Sequence, residues 1–368
     1  MSAVDGGGAG EPVAFQRLPA LEEAWRERVA GLRLERLRKA AAEAREALLK
    51  QGPVGGLATC PLITFPYPAM FAFSGAALSP APYVMMTNRM QVVQYRDWDG
   101  RPRILLFNPT DYDRGEKAPF FARLIERYGE FISRRVMRTR HGTVVQHLET
   151  LGLRPEDVDY LAFDHLHVQD IRGWLGGGEG AGAFFPRARL LVQRAEWEGT
   201  ANLHPMQVPW YVPDGIKGVP EERVVLIEGD AWLGQGVAIV STPGHTMGNM
   251  SLAVVTDRGL FVVSENGVAT ESYTPERSAI PGVRASAAHL GYEVVLNGNS
   301  REHSLDQYSS MVVEKVLAGP SRVDGGYVNF FPSSELTASL LAPALSPTFS
   351  HREISQGQIV PPRAARAA

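Results

Sequence analysis

Residues 163–170 read FDHLHVQD, and about eighty residues later residues 242–252 read TPGHTMGNMSL. Imidazole is the commonest metal-binding side chain, and two imidazoles at positions i and i+2 of an extended segment point to the same side. His165 and His167 have this spacing, and His245 stands on a Pro-Gly turn between two apolar runs. The three side chains predict a three-histidine face, which suits Zn, Fe, Mn or Cu.

The composition bounds the kinds of partner that this chain binds. It has 368 residues, 44% hydrophobic and 21% charged, with a formal net charge of -3, which suits one large core with extensions. The absence of a long basic stripe argues against nucleic acid. No apolar run reaches the roughly 18 residues that a membrane span needs, so no membrane partner is expected. Cys60 is the single cysteine, which excludes an internal disulfide and fits a reducing cytoplasm.

The residue pattern divides the chain into four parts. Residues 1–16 are Gly-rich and acidic, and we expect a disordered tail. Residues 17–79 combine helical apolar spacing with a proline-rich stretch, which predicts a helical and irregular N-terminal extension. Residues 80–318 contain hairpins followed by alternating strands and helices, which predicts two sheets packed face to face with helices outside. Residues 319–368 are rich in Pro, Ser and Ala, and we expect an irregular C-terminal tail.

At the two histidine segments the chain resembles the metallo-β-lactamase superfamily. The family signature is His-x-His-x-Asp-His, followed by a histidine in a Thr-Pro-Gly-His-Thr-x-Gly segment, an acidic residue after a strand, and a last histidine. His165, His167 and His245 match the first three histidines, and Glu265 stands where the family has a bridging Asp. The resemblance covers about residues 80–318. It implies an αββα sandwich with the metal site in the cleft at one edge of the two sheets.

The chain departs from the family pattern at three places. Gln169 replaces the Asp of the signature and Asp170 replaces the histidine after it, while Asn299 stands near the place of the last histidine, with His303 four residues further on. In the family these groups mostly build the second metal position. We therefore expect one divalent ion, zinc first, with Fe or Mn as alternatives. The expected ligands are His165, His167, His245, Asp170 and Glu265.

A metal held by three neutral imidazoles predicts a hydrolase of a small ester, thioester or lactone. Zinc so held lowers the pKa of a bound water to about 7, and a carboxylate such as Asp170 would accept the proton. Asp170 has a second interpretation as a helix cap, because a helix could open just after it. Two other functions stay open. One is an iron oxygenase with His165, His245 and Glu265 as ligands, and the other is a degraded site kept for binding or scaffolding.

The segment 204–213 is aromatic and stiffened by proline, and it lies between the histidine pair and His245. We expect Trp210 and Tyr211 to form an apolar wall of the substrate cleft. Such a wall favours a small-molecule substrate with an apolar or acyl part. The alternatives for this segment are a subunit interface in a homo-oligomer and a simply packed loop.

Overall fold

Two β-sheets lie face to face in the computed structural model, which describes residues 15–177, 182–299, 303–340 and 342–362. The strands of the larger sheet are β1 (Gly56–Pro68), β2 (Tyr83–Arg96), β3 (Pro102–Phe107), β4 (Thr139–Arg140), β5 (Tyr160–Ala162), β6 (Arg189–Gln193), β7 (Val224–Ile227), β13 (Ser334–Thr337) and β14 (Gln356–Gly357). The strands of the smaller sheet are β8 (Ala231–Gly234), β9 (Val237–Ser241), β10 (Met250–Thr256), β11 (Gly259–Ser264) and β12 (Phe330–Pro332). The larger sheet has the order β14-β1-β2-β3-β5-β6-β7, with β13 paired to β2 and β4 paired to β1, and the smaller has the order β12-β11-β10-β9-β8.

Helices cover the outer faces of both sheets. Their bounds are α1 (Pro19–Trp25), α2 (Ala30–Leu49), α3 (Ala69–Ala72), α4 (Tyr112–Gly115), α5 (Pro119–Phe131), α6 (Val144–Thr150), α7 (Arg172–Leu175), α8 (Arg194–Ala201), α9 (Val283–Leu290) and α10 (Ser304–Ala318). Helices α1, α2 and α10 pack on the smaller sheet, and α6, α7 and α9 pack on the larger one. Within the described ranges, no helix is both long and apolar enough to cross a membrane.

The alternation of side chains along the strands explains the layers, because successive strand residues point to opposite faces. In β2, Val92 belongs to the core on the helix side of the larger sheet, whereas Val93 belongs to the core between the sheets. In β10, Leu252 lies between the sheets, and Ala253 faces the helices on the other side. The predicted αββα sandwich is therefore confirmed.

The sheets extend past both limits of the predicted domain, residues 80–318. β1 pairs with β2 along its length although it contains three prolines. It accommodates them because its other edge pairs only at residues 56–57 and 63–64, and because Pro61 lies at a bulge. Strands β12, β13 and β14 likewise correct the expectation of an irregular tail over residues 319–368. Of the expected disordered tail, residues 1–14 lie outside the described residues, and Gln16 at its end pairs with Trp232.

Candidate metal centre

Three histidines converge where strands of the two sheets end. His165 and His167 follow β5 of the larger sheet, and His245 follows β9 of the smaller one. Their side chains are buried, and one ring nitrogen of each lies within 4.8 Å of the others. The structure thus brings together the three histidines that the sequence singles out.

Two of the three rings have a buried nitrogen without a partner. His167 Nε2 and His245 Nδ1 make no hydrogen bond within the described part of the chain. Buried polar atoms are nearly always paired, so these two unpaired nitrogens, both on convergent histidines, are available to a metal ion. His165 Nδ1 lies 2.8 Å from Asp164 Oδ1, which leaves Nε2 of that ring to face the other two histidines. Convergent imidazole nitrogens of this kind fit a divalent transition metal.

Burial and neighbouring charges give the three histidine rings different pKa values. Burial lowers the pKa of His167 well below its ordinary value, and the neighbouring His165 and His245 lower it further. Burial, with His165, also lowers the pKa of His245. Burial acts in the same direction on His165, but the Asp164 carboxylate outweighs it and raises that pKa to about 9. His167 and His245 are therefore neutral at neutral pH, which is the form that binds metal.

Asp164 holds the first histidine from behind. Its Oδ1 accepts hydrogen bonds from the backbone and from the ring of His165, and its Oδ2 accepts one from Asn108 Nδ2 at 3.0 Å. Burial raises the pKa of this carboxyl, but its bonds to His165 and Asn108 outweigh that effect and lower it. An ionised carboxylate on a ligating imidazole fixes the orientation of the ring.

Glu265 follows β11 and lies beside the first histidine. It forms a group with Asp164 and His165 whose ligand atoms are within 4.8 Å of one another, separate from the three-histidine group. Ser334 Oγ donates to its Oε2 at 3.2 Å. Burial and the nearby Asp164 raise the pKa of Glu265 to about 7. The structure places Glu265, which the sequence predicts as a ligand, next to His165.

Asp170 lies apart from the histidines. Its carboxylate accepts hydrogen bonds from Arg172 Nε at 2.8 Å and Nη2 at 2.7 Å, and Arg114 Nη1 is 3.7 Å away. Burial raises the pKa of Asp170, but the bonds from Arg172 outweigh it and lower the pKa. The backbone N–H of Arg172 also donates to Asp170 at 3.2 Å, directly before α7. The carboxylate therefore closes the turn ahead of a helix, and it is not brought to the histidines as the expected base or ligand.

Neutral amides stand where the family has ligands of a second metal. Gln169 Nε2 donates to Thr110 Oγ1 at 3.0 Å, and Gln169 and Asn299 both line the cavity above the histidines. His303 directly precedes α10 and does not line this cavity.

Aromatic side chains wall the cavity that opens over the histidines. They are Phe65, Tyr67, Tyr112, Phe121 and Trp210. The Trp210 ring lies 4.8 Å from the ring of Phe120 and 6.1 Å from that of His167. Trp210 therefore lines this cavity. Tyr211 does not line the cavity, because its ring packs against His167 and its hydroxyl donates to Glu196.

A second cavity, mainly apolar, adjoins the first. The two share Phe65, Tyr112, Phe121 and Val168, and the second continues between β1 and α5 to Leu124, Ile125 and Met137. Val168 has a φ of 63°, in the left-handed region that a β-branched residue rarely adopts. Its N–H donates to the backbone oxygen of Trp210 at 2.8 Å, which holds its side chain between the two cavities.

Glu196 is a site residue that the motif comparison missed. It lies in the first turn of α8, yet it is only 2% exposed. Its Oε1 accepts hydrogen bonds from the Leu166 N–H at 2.7 Å and the Tyr211 hydroxyl at 3.0 Å, and its Oε2 accepts one from Thr246 Oγ1 at 2.5 Å. A Glu in the first turn of a helix is common in any sequence. What distinguishes Glu196 is its burial, and burial cannot be read from the sequence.

Two glycines explain the shape of the turn that carries His245. A Cβ on Gly244 would lie 2.2 Å from the backbone of Gln307 in α10. A Cβ on Gly248 would lie 2.2 Å from the backbone nitrogen of Glu196 in α8. The turn therefore fits between two helices only because both positions lack a side chain.

Comparison with known proteins shows a set of lactonases. An N-acyl homoserine lactonase of Bacillus sp is 33% identical over 132 residues, which cover 35% of this chain and 47% of the relative. One of Bacillus cereus is 32% identical over 139 residues, covering 38% and 48%. The lactonase AttM of Azorhizobium caulinodans is 30% identical over 166 residues, covering 41% and 56%. The chain spans about half the length of the curated relatives it matches. No family model matches the chain.

Among solved structures, the dizinc quorum-quenching lactonase AidC in complex with a product aligns with a TM-score of 0.49 at 11% identity, covering 84% of this chain and 96% of that one. An N-acyl homoserine lactone hydrolase with a product at its catalytic metal centre aligns with a TM-score of 0.44 at 20% identity, covering 65% and 88%. The lactonase relatives, together with the four-layer fold, confirm the predicted resemblance to hydrolases of the metallo-β-lactamase fold.

Proposed function

We propose that this chain is a metal-dependent hydrolase of lactones that carry an acyl group. The observation that carries the proposal is the convergence of three buried histidines, two with a ring nitrogen that no described group satisfies. The relatives in sequence are named N-acyl homoserine lactonases, and such substrates combine a lactone ring with an acyl chain. The apolar cavity beside the centre offers an acyl chain a place to bind.

His165, His167 and His245 would hold one divalent ion, zinc first. Such an ion, when bound, polarises a carbonyl oxygen and lowers the pKa of water. Two bonds support one ion rather than two. The Gln169 side-chain amide is bonded to Thr110, and the Asp170 carboxylate is bonded to Arg172, so neither group is available as a ligand of a second ion. Of the two carboxylates next to His165, Asp164 is bonded to His165 and Asn108, so Glu265 would act as a further ligand or accept a proton.

The chain's own residues would also orient the substrate. Trp210, Phe65 and Phe121 present an apolar wall at the mouth of the centre, so that an acyl chain lying there would exclude water from the lactone. The wall and the histidines line one cavity, so a lactone bound there would have its ring next to the three histidines.

The test is the metal content of chelator-free protein by elemental mass spectrometry, followed by hydrolysis of N-acyl homoserine lactones with short, medium and long acyl chains. We expect about one zinc ion per chain, and a kcat/KM for the lactones that rises with acyl length and exceeds that for open-chain esters. About one iron ion and oxygen uptake without lactone hydrolysis would favour the oxygenase, and a metal-free chain would favour a scaffold. Either result would overturn the proposal.

A further inference from the structure

We propose that Glu196 is a positioning residue that fixes the two histidine loops, residues 163–170 and 242–249, relative to each other. This inference rests on the proposed metal site, and it adds a residue outside the ligand set. The carboxylate reaches three separate parts of the chain, which are 15, 30 and 50 residues away in sequence.

The first contact fixes the pair of histidines. Leu166 lies between His165 and His167, and its N–H donates to Glu196 Oε1 at 2.7 Å. A hydrogen bond from a backbone N–H to a buried carboxylate is short and strong, because the acceptor is charged. Since Leu166 joins the two histidines, the bond fixes the segment that carries both rings.

The second contact fixes the third histidine. Thr246 follows His245 directly, and its hydroxyl donates to Glu196 Oε2 at 2.5 Å. The same loop touches the backbone of Glu196 through Gly248, where no side chain would fit. One residue of α8 therefore contacts the loop both through its carboxylate and through its backbone.

The third contact holds an aromatic ring against a ligand. The Tyr211 hydroxyl donates to the same Oε1 at 3.0 Å, and the Tyr211 ring lies 4.7 Å from the ring of His167. Without the carboxylate, three buried donors would lose their acceptor at once, and each would favour a rearrangement that restores a partner. The histidine loops would then separate, and metal affinity would fall by about 10- to 100-fold, as for other groups that orient metal ligands.

Glu271 is a matched control for the structural cost of losing a buried carboxylate. It is 0% exposed and accepts hydrogen bonds from the backbone and the hydroxyl of Thr348 and from Ser278 Oγ, none of which belongs to a histidine loop. Glu271→Ala should lower the free energy of unfolding and leave metal binding unchanged.

The experiment measures zinc affinity of the full chain by competition with a chromophoric chelator, and the absorption spectrum of the cobalt form, for wild type, E196A, E196Q and E271A. We expect E196A to weaken zinc binding about 10- to 100-fold and to change the cobalt spectrum. E196Q retains a carbonyl oxygen for Leu166 and Tyr211, so its loss should be within about threefold, while E271A should match wild type. Thr246→Val removes one bond without changing side-chain size and should weaken zinc binding several-fold even if E196A does not fold.

Two results separate the failure of this inference from that of the proposed function. A wild-type chain that binds no metal overturns the metal site and the inference together. A wild-type chain that binds zinc no more tightly than folded E196A or T246V, or an E271A variant that loses as much affinity as E196A, overturns the inference alone.

Discussion

The loop of residues 163–170 is held mainly by bonds to charged side chains, whereas the loop of residues 242–249 combines one bond to a carboxylate with close packing against two helices. In the first, Asp164 binds His165, and Asp170 is bonded by Arg172 at the other end. In the second, Gly244 and Gly248 lie against the backbones of two helices.

The difference shows that the three histidines of the proposed metal centre rest on two kinds of support. A charged hydrogen bond depends on the identity of its partners, but it tolerates a small change of shape. A backbone packed against a helix tolerates no added atom, because the interior is filled. Changes of charge at Asp164 should therefore disturb the first loop, and changes of size at Gly244 or Gly248 should disturb the second. Four predictions test this division.

The largest effect is expected from His245→Ala, which removes the metal ligand of the second loop. Metal affinity and lactone hydrolysis should both fall by more than about 100-fold, because three ligands become two. Elemental mass spectrometry and steady-state kinetics measure the two losses. His351→Ala is the control, since His351 is also buried but bonds to the Val328 oxygen away from the centre. Equal metal content in wild type and H245A would remove His245 from the site.

Gly248→Ala should destabilise the fold and weaken metal binding, because its Cβ would meet the backbone nitrogen of Glu196 at 2.2 Å. The expected loss of unfolding free energy is about 1–3 kcal/mol, typical of overpacking. Urea denaturation measures it. Gly199→Ala, in α8 with open space around it, should instead leave stability unchanged or raise it by up to about 1 kcal/mol. Similar values for the two variants would show that the second loop is not held by packing.

The pH dependence of stability tests the contact of Asp230 with Ser241, the residue directly before the loop of residues 242–249. Its Oδ1 accepts a hydrogen bond from the N–H of Ser241, where β9 ends, and burial raises its pKa to about 7 although this bond lowers it. The folded chain thus binds a proton that the unfolded chain has released, so stability should fall as pH rises from about 4 to 7. Asp230→Asn removes this decline and should be more stable than wild type by roughly 2–4 kcal/mol above pH 7. Urea denaturation at several pH values checks it, and parallel pH profiles would contradict it.

The smallest effect on catalysis is expected from Asp170→Asn at the far end of the first loop. Its carboxylate faces Arg172 and not the histidines, so metal content and kcat should stay within about threefold of wild type, while stability falls by about 1–2 kcal/mol. Asp164→Asn is the comparison within the same loop, and it should weaken metal binding about 10- to 100-fold. A large fall in kcat for D170N with full metal content would restore Asp170 as the base.

The three histidines and Glu265 could be found from sequence because each lies at the end of an apolar strand in a recognisable local context. The direction of the Asp170 side chain could not be found in this way. It depends on whether the cation two residues further on binds the carboxylate, and Arg172 does so. Glu196 was invisible for a similar reason, since its three partners lie far away in sequence.

The layers of the fold were predictable from strand alternation, but the limits of the sheets were not. Prolines in residues 56–68 argued against regular structure. The outer edge of β1 pairs at few residues, however, so most of its N–H groups are not required for strand pairing and proline is tolerated there. The short strands β12, β13 and β14 carry too few residues for their alternation to be read, and they are fixed only by neighbours that are distant in sequence.

The backbone conformation of Val168 destabilises the loop of residues 163–170. A β-branched residue with a φ of 63° raises the free energy of the folded chain by about 1–3 kcal/mol, which the surrounding contacts have to outweigh. Glycine would relieve this strain, but it would also remove the side chain shared by the two cavities. Heat resistance and the choice of substrate are therefore coupled at one position, so that selection for a more durable protein would also reshape what the cavity accepts.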